Sequence, residues 1–151
     1  MSEWTHKKLV RRMADWLKWS KKMTVVISEL STRNSETPDV IGWIGGAHSI
    51  LIECKMSRSD FLADGNKWFR RTPELGMGNE RYIAAPKGLI SVNELPCGWG
   101  LLEVDGRYVL ITKKSESHES QKSYECVMLM SVIRRLEIST AVYVVQETEE
   151  V

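Results

Sequence analysis

The chain has 151 residues, enough for one domain with a substantial core. With 21 basic against 20 acidic residues it carries a net charge of only +1, so any affinity for nucleic acid must come from a local patch and not from overall charge. No secretory segment opens the chain and no apolar run approaches a membrane span; Cys54, Cys97 and Cys126 lack the spacing of a disulfide framework or zinc site, and a cytoplasmic protein is expected.

In chain order, residues 2–22 predict an amphipathic helix, with Leu9, Met13, Trp16, Leu17 and Ser20 on one face. Lys8, Arg11, Asp15, Lys18 and Lys22 fall on the other, which reads as a solvated surface, as a phosphate-backbone contact or, third, as a membrane-surface helix, which would usually show a cleaner moment. Residues 24–30 are rich in β-branched residues and predict a strand, with Glu29 near its end. Strands over 39–44 and 49–55 follow, joined at Gly45-Gly46-Ala47-His48, a hairpin signal. Both are apolar on both faces, which suits a sheet covered by helices. A helix is expected from Ser57 or Ser59 to Arg71, with Phe61, Leu62, Trp68 and Phe69 inward; Asp60, Asp64, Lys67 and Arg71 read as its solvated, salt-bridged face. A loop with Gly76 and Gly78 leads to a strand over 81–85. Two strands flank Asp105-Gly106, residues 113–121 read as a polar mobile segment, a helix spans 121–136, and a short strand is expected over 141–145. His6, His48 and His118 are scattered and read as surface or turn residues, and the six tryptophans read mostly as core, Trp43 and Trp68 included. This order predicts one domain over residues 1–151, an α/β sandwich built on a mixed sheet.

Three ionisable groups stand where strands apolar on both faces should carry none: Asp39, Glu53 and Lys55. Glu53 and Lys55 are two apart, so a strand points both to one face. Asp39 joins them only if it pairs with Glu53 or Lys55, which a three-residue loop at Gly45-Gly46 would give. The bland reading is a strand-end ion pair and an ordinary turn into a strand. The chemical reading is a pair of hard oxygen ligands for magnesium beside an ammonium group, the parts that metal-assisted phosphodiester hydrolysis uses. Glu29, at the end of the Val25–Ile27 stripe, is a candidate further ligand to metal or water.

Pro38-Asp39 with Glu53-Cys54-Lys55 resembles the signature of the PD-(D/E)XK phosphodiesterase superfamily. The run from Ile52 to Asp64, then Lys67-Trp68, is similar to the MmcB-like DNA-repair group within it and to small phage-encoded relatives. Arg81–Pro86 and Gly98–Leu102 fit the same pattern, so the likeness covers roughly residues 24–112. The resemblance implies a restriction-endonuclease-like three-layer sandwich, with a mixed central sheet flanked by helices. It implies a metal-dependent deoxyribonuclease of DNA repair, recombination or phage–host conflict. Mg²⁺ or Mn²⁺ would be held by Asp39, Glu53 and the Cys54 carbonyl, with Lys55 serving the nucleophilic water. Ser57, Arg58, Lys67, Arg70 and Arg71 would contact DNA, and a homodimer is compatible with the pattern. Many members carry a further acid on the first helix; here only Glu3 and Asp15 are available. That departure keeps a second reading open: a catalytically inactive nucleic-acid- or protein-binding module on the same fold.

Overall fold

The computed structural model describes residues 3–28, 37–65 and 73–136. Three helices and six strands occur among them. They are α1 (His6–Asp15), β1 (Val25–Ser28), β2 (Val40–Ile44), β3 (His48–Cys54), α2 (Arg58–Asp64), β4 (Glu80–Pro86), β5 (Gly100–Asp105), β6 (Tyr108–Lys113) and α3 (Lys122–Arg135). The strands form one open sheet in sequence order. The β1–β2, β2–β3 and β5–β6 pairs are antiparallel, while β3–β4 and β4–β5 are parallel. The expected mixed sheet is therefore present, and its alternating side chains build two cores. Val40, Ile50, Ile52, Cys54, Tyr82 and Leu102 face α1. Ile41, Trp43, Leu51, Ile83 and Leu101 face the other way, where Phe61 of α2 and Met128 of α3 cover them. The architecture is an α/β three-layer sandwich.

The first helix forms because its apolar residues recur at helical spacing. Leu9, Val10 and Met13 are buried, and a π-helical turn, Trp16–Ser20, adds Trp16 and Leu17. Each such burial is worth roughly 1.5–3 kcal/mol. Thr5 caps the start, its side chain accepting from the Lys8 N–H at 3.2 Å. Glycine at position 42 lets the helix approach the sheet: a Cβ there would stand 2.6 Å from Met23 Sδ and 3.3 Å from Leu17 Cδ1.

The β2–β3 loop is Gly45-Gly46-Ala47, all three in the left-handed region with φ of 29°, 46° and 63°. A three-residue loop sets an odd register, pairing Ile44 with His48 and Val40 with Ile52. One step beyond, Asp39 stands opposite Glu53, the arrangement the sequence required for a shared face.

Three expectations need correction. Leu62 is 60% exposed while Phe61 is buried, so α2 turns a narrower face to the core than the two adjacent apolar residues suggested. Asp64, expected in solvent, is 2% exposed, because it lies three residues after Phe61 on that inward face. Residues 113–121, expected to be mobile, form a strap laced to the fold. Backbone N–H groups of Glu116, His118 and Gln121 donate to the carbonyls of Gly98, Asn79 and Gly76. The buried Arg81 guanidinium binds the carbonyls of Gly76, Gly78 and Glu119, and Ser115 Oγ accepts from the Arg81 N–H. The expected strand over 141–145 lies outside the described residues, as do Glu29, Lys67, Trp68, Phe69, Arg70 and Arg71. No described helix is long and apolar enough to cross a membrane.

Candidate functional site

At the carboxyl end of β3 a cleft of about 300 Å³ is lined by Asp39, Glu53, Cys54 and Lys55, together with His6, Asp60 and Asp64. Parallel strands of open α/β sheets present ligand sites at this end. The three groups singled out in the sequence meet here, and each is placed by a different part of the hairpin. Asp39 follows Pro38 at the mouth of β2 and is partly buried. Its Oδ2 accepts from the Cys54 N–H at 2.8 Å, which ties the start of β2 to the end of β3. Since N–H and C=O of one strand residue point to the same side, the Cys54 carbonyl faces the Asp39 flank as well. Glu53 is 2% exposed, on the sheet face that carries Leu51 and Ile41.

Lys55 shares that face. Its backbone N–H continues the parallel ladder to the Ala84 carbonyl at 2.8 Å. Its ammonium donates to Asp64 Oδ1 at 3.0 Å, with side-chain exposures of only 9% and 2%. A charge this deep in protein is costly unless paired, and the pair supplies that partner. Asp64 is thus a component of the cleft that periodicity placed on the wrong face. The signal that would have found it is the i, i+3 spacing from Phe61.

His6 is the other residue missed. It opens α1, and its Nε2 lies 3.5 Å from Asp39 Oδ1, an ion pair when the ring is protonated. Nothing in the sequence links these positions; only the packing of α1 across the sheet brings them together. The two acids available near the first helix do not reach this cleft. Glu3 and Asp15 line a different one, with Trp4, Lys8, Arg12 and Gly106.

The proposed DNA contacts that fall among described residues already have structural partners. Ser57 is the N-cap of α2, its Oγ accepting from the Asp60 N–H at 3.2 Å. Arg58 holds both carboxylate oxygens of Glu94, one at 3.1 Å, and donates to the Leu89 carbonyl. The Arg58 guanidinium beside Glu94, helped by the Ser91 N–H, holds that carboxyl down at about 2. Trp43, read as core from the sequence, is 8% exposed and belongs there.

Among the described residues no three His, Cys, Asp or Glu side chains form a cluster ready to hold a metal ion. What the cleft offers is two carboxylates and a carbonyl on one flank.

No protein-family model matches the chain, and neither does any curated protein. Among solved structures it is similar to the SPO1766 protein of unknown function from Silicibacter pomeroyi. The TM-score is 0.67 at 23% identity, over 91% of this chain and 92% of that one. At that identity the likeness is one of fold.

Proposed function

We propose that this protein is a metal-dependent nuclease acting on DNA phosphodiester bonds in the cytoplasm. The observation that supports this most is the odd hairpin register, which stands Asp39 opposite Glu53 with Lys55 on the same face. The donor set suits a hard cation. Magnesium needs only one or two carboxylates, the remainder being water and substrate phosphate oxygens. Asp39, Glu53 and the Cys54 carbonyl would hold Mg²⁺ or Mn²⁺, which when bound polarises a scissile phosphate and lowers the pKa of a coordinated water. The chain's own residues do the rest. The Cys54 N–H fixes the Asp39 carboxylate through Oδ2 and leaves Oδ1 turned towards the cleft flank where His6 lies. Asp64 holds the Lys55 ammonium at the cleft wall, where its positive charge stabilises negative charge developing on phosphate oxygens.

The test is cleavage of labelled duplex, flap, junction and single-stranded DNA with and without Mn²⁺. Wild type should cut at least one substrate only when the metal is present. Glu53→Gln and Asp39→Asn should lose that activity and any Mn²⁺-dependent rise in melting temperature. Cleavage retained by either variant refutes the assignment. One observation favours a second reading, a non-catalytic module: the Lys55 ammonium is already engaged by a buried carboxylate. That reading expects no metal-dependent cleavage of any substrate and no thermal shift.

A further inference from the structure

We propose that the outer face of α1 and of the π-helical turn that continues it binds the phosphate backbone of a nucleic acid, with Lys7 and Arg11 of the helix and Lys18 of the turn on phosphates and Trp19 stacking on an unpaired base. This rests on the nuclease reading for the direction of the strand, which would run from the cleft along the helix. Charge segregation is the first support. Residues 3–22 hold seven basic and two acidic side chains, a net +5, whereas the whole chain is +1 and the remainder therefore −4. A polyanion is the partner such a face complements.

The basic groups are also arranged. Lys7 and Arg11, four residues apart, start a stripe on α1, Lys18 follows it on the π-helical turn, and all three are exposed. No ion pair involves them among the described residues. The stripe is about 16 Å long, the rise of roughly five nucleotides in a B-form strand. It starts one residue after His6, which lies in the cleft against Asp39.

Beside the stripe, Trp19 is 66% exposed, the one described tryptophan so placed, and the Lys18 ammonium stands 6.0 Å from its ring. An exposed indole among cations suits base stacking on unpaired nucleotides. A membrane surface is the other anionic partner for a basic helix, but it needs an apolar face free to insert. Here that face is spent: Leu9, Met13 and Leu17 are fully buried against the sheet, and Val10 and Trp16 nearly so.

Binding of labelled single-stranded and duplex DNA to the full chain, by fluorescence anisotropy with EDTA present, tests the proposal. Three phosphate contacts should make affinity fall about 20- to 40-fold between roughly 50 and 200 mM salt. The Lys7→Glu/Arg11→Glu/Lys18→Glu variant should bind at least about tenfold more weakly with a shallower salt slope, while Lys87→Glu/Lys114→Glu binds as wild type. Trp19→Ala should weaken single-strand binding about fivefold or more and leave duplex binding unchanged. Wild-type affinity in the triple variant, or binding to anionic vesicles but not to DNA, overturns the proposal. Unchanged single-strand binding by Trp19→Ala overturns its stacking part. Mn²⁺-dependent cleavage is read separately. A chain that cuts DNA but binds independently of α1 refutes this inference alone; one that binds through α1 yet never cuts refutes only the catalytic reading.

Discussion

Removing one partner of the Lys55–Asp64 pair should be among the most damaging single changes in this fold. The two charges are 3.0 Å apart with side-chain exposures of 9% and 2%. Stripping a buried charge of its partner typically costs about 3–5 kcal/mol, because the remaining charge is left desolvated. In a domain of this size each kcal/mol moves the melting temperature by roughly 2–4 °C. Asp64→Leu and Lys55→Met should therefore each lower it by about 6–20 °C. The double variant Lys55→Met/Asp64→Leu removes both charges and keeps most of the volume, so it should recover much of the loss. The coupling between the two sites should then reach about 3 kcal/mol. Urea unfolding followed by tryptophan fluorescence measures it directly, since Trp16, Trp43 and Trp99 are buried and change environment on unfolding. If each single variant costs less than about 1 kcal/mol, the pair behaves like an exposed salt bridge and the burial argument fails. Strictly additive losses would refute it as well.

Two further consequences follow from the packing and the acid–base chemistry. The Glu94 carboxyl is held at about 2, against an ordinary 4.5, chiefly by its hydrogen bonds from Arg58 and then from the Ser91 N–H. A depressed carboxylate contributes its stability fully above pH 4.5 and loses it as pH falls towards 2. Glu94→Gln should thus show a flatter acid limb than wild type over that window, read by melting temperature against pH; parallel curves would refute it. Gly100→Ala should destabilise by about 1–3 kcal/mol or more in urea unfolding. Its Cβ would lie 2.4–2.5 Å from the Tyr82 ring and 2.6 Å from the Lys113 carbonyl, with backbone on one side and a buried ring on the other. A midpoint unchanged from wild type would show that this strand yields more readily than its contacts imply.

The strands were legible because β-branched and apolar runs bounded by turn residues have few alternatives, and the site was legible because the β2–β3 loop is short. Gly45-Gly46-Ala47 fixes the parity of the register, and parity alone decides whether Asp39 joins Glu53 and Lys55. What the sequence concealed was long-range. Phe61 and Leu62 are adjacent and equally apolar, so local pattern could not choose the buried face of α2, and Asp64 went to solvent with the wrong choice. Residues 113–121 contain no apolar anchor; backbone groups and the Asn79 and Arg81 side chains hold them, distant in sequence and brought close only by the sheet. His6 meets Asp39 for the same reason.

Burial gives the clearest argument about what the charged cleft is for. Arg81, 1% exposed, has an architectural duty: its guanidinium satisfies the carbonyls of Gly76, Gly78 and Glu119 and so holds loop and strap together. Lys55 and Asp64 join the end of β3 to a helix that begins three residues later, a short link that apolar packing could make equally well. Replacing a buried ion pair with apolar residues of similar volume is often neutral or stabilising by 1–4 kcal/mol. A fold under pressure only for stability would have little use for this pair beside a second buried carboxylate, Glu53. Departures from such local rules concentrate at functional sites. The Lys55→Met/Asp64→Leu variant therefore separates two explanations. Near-wild-type stability with Mn²⁺-dependent cleavage abolished would mean that the charges serve chemistry. Stability as low as in the single variants would mean that the pair is part of the frame, and the case for a catalytic lysine would then rest on activity measurements alone.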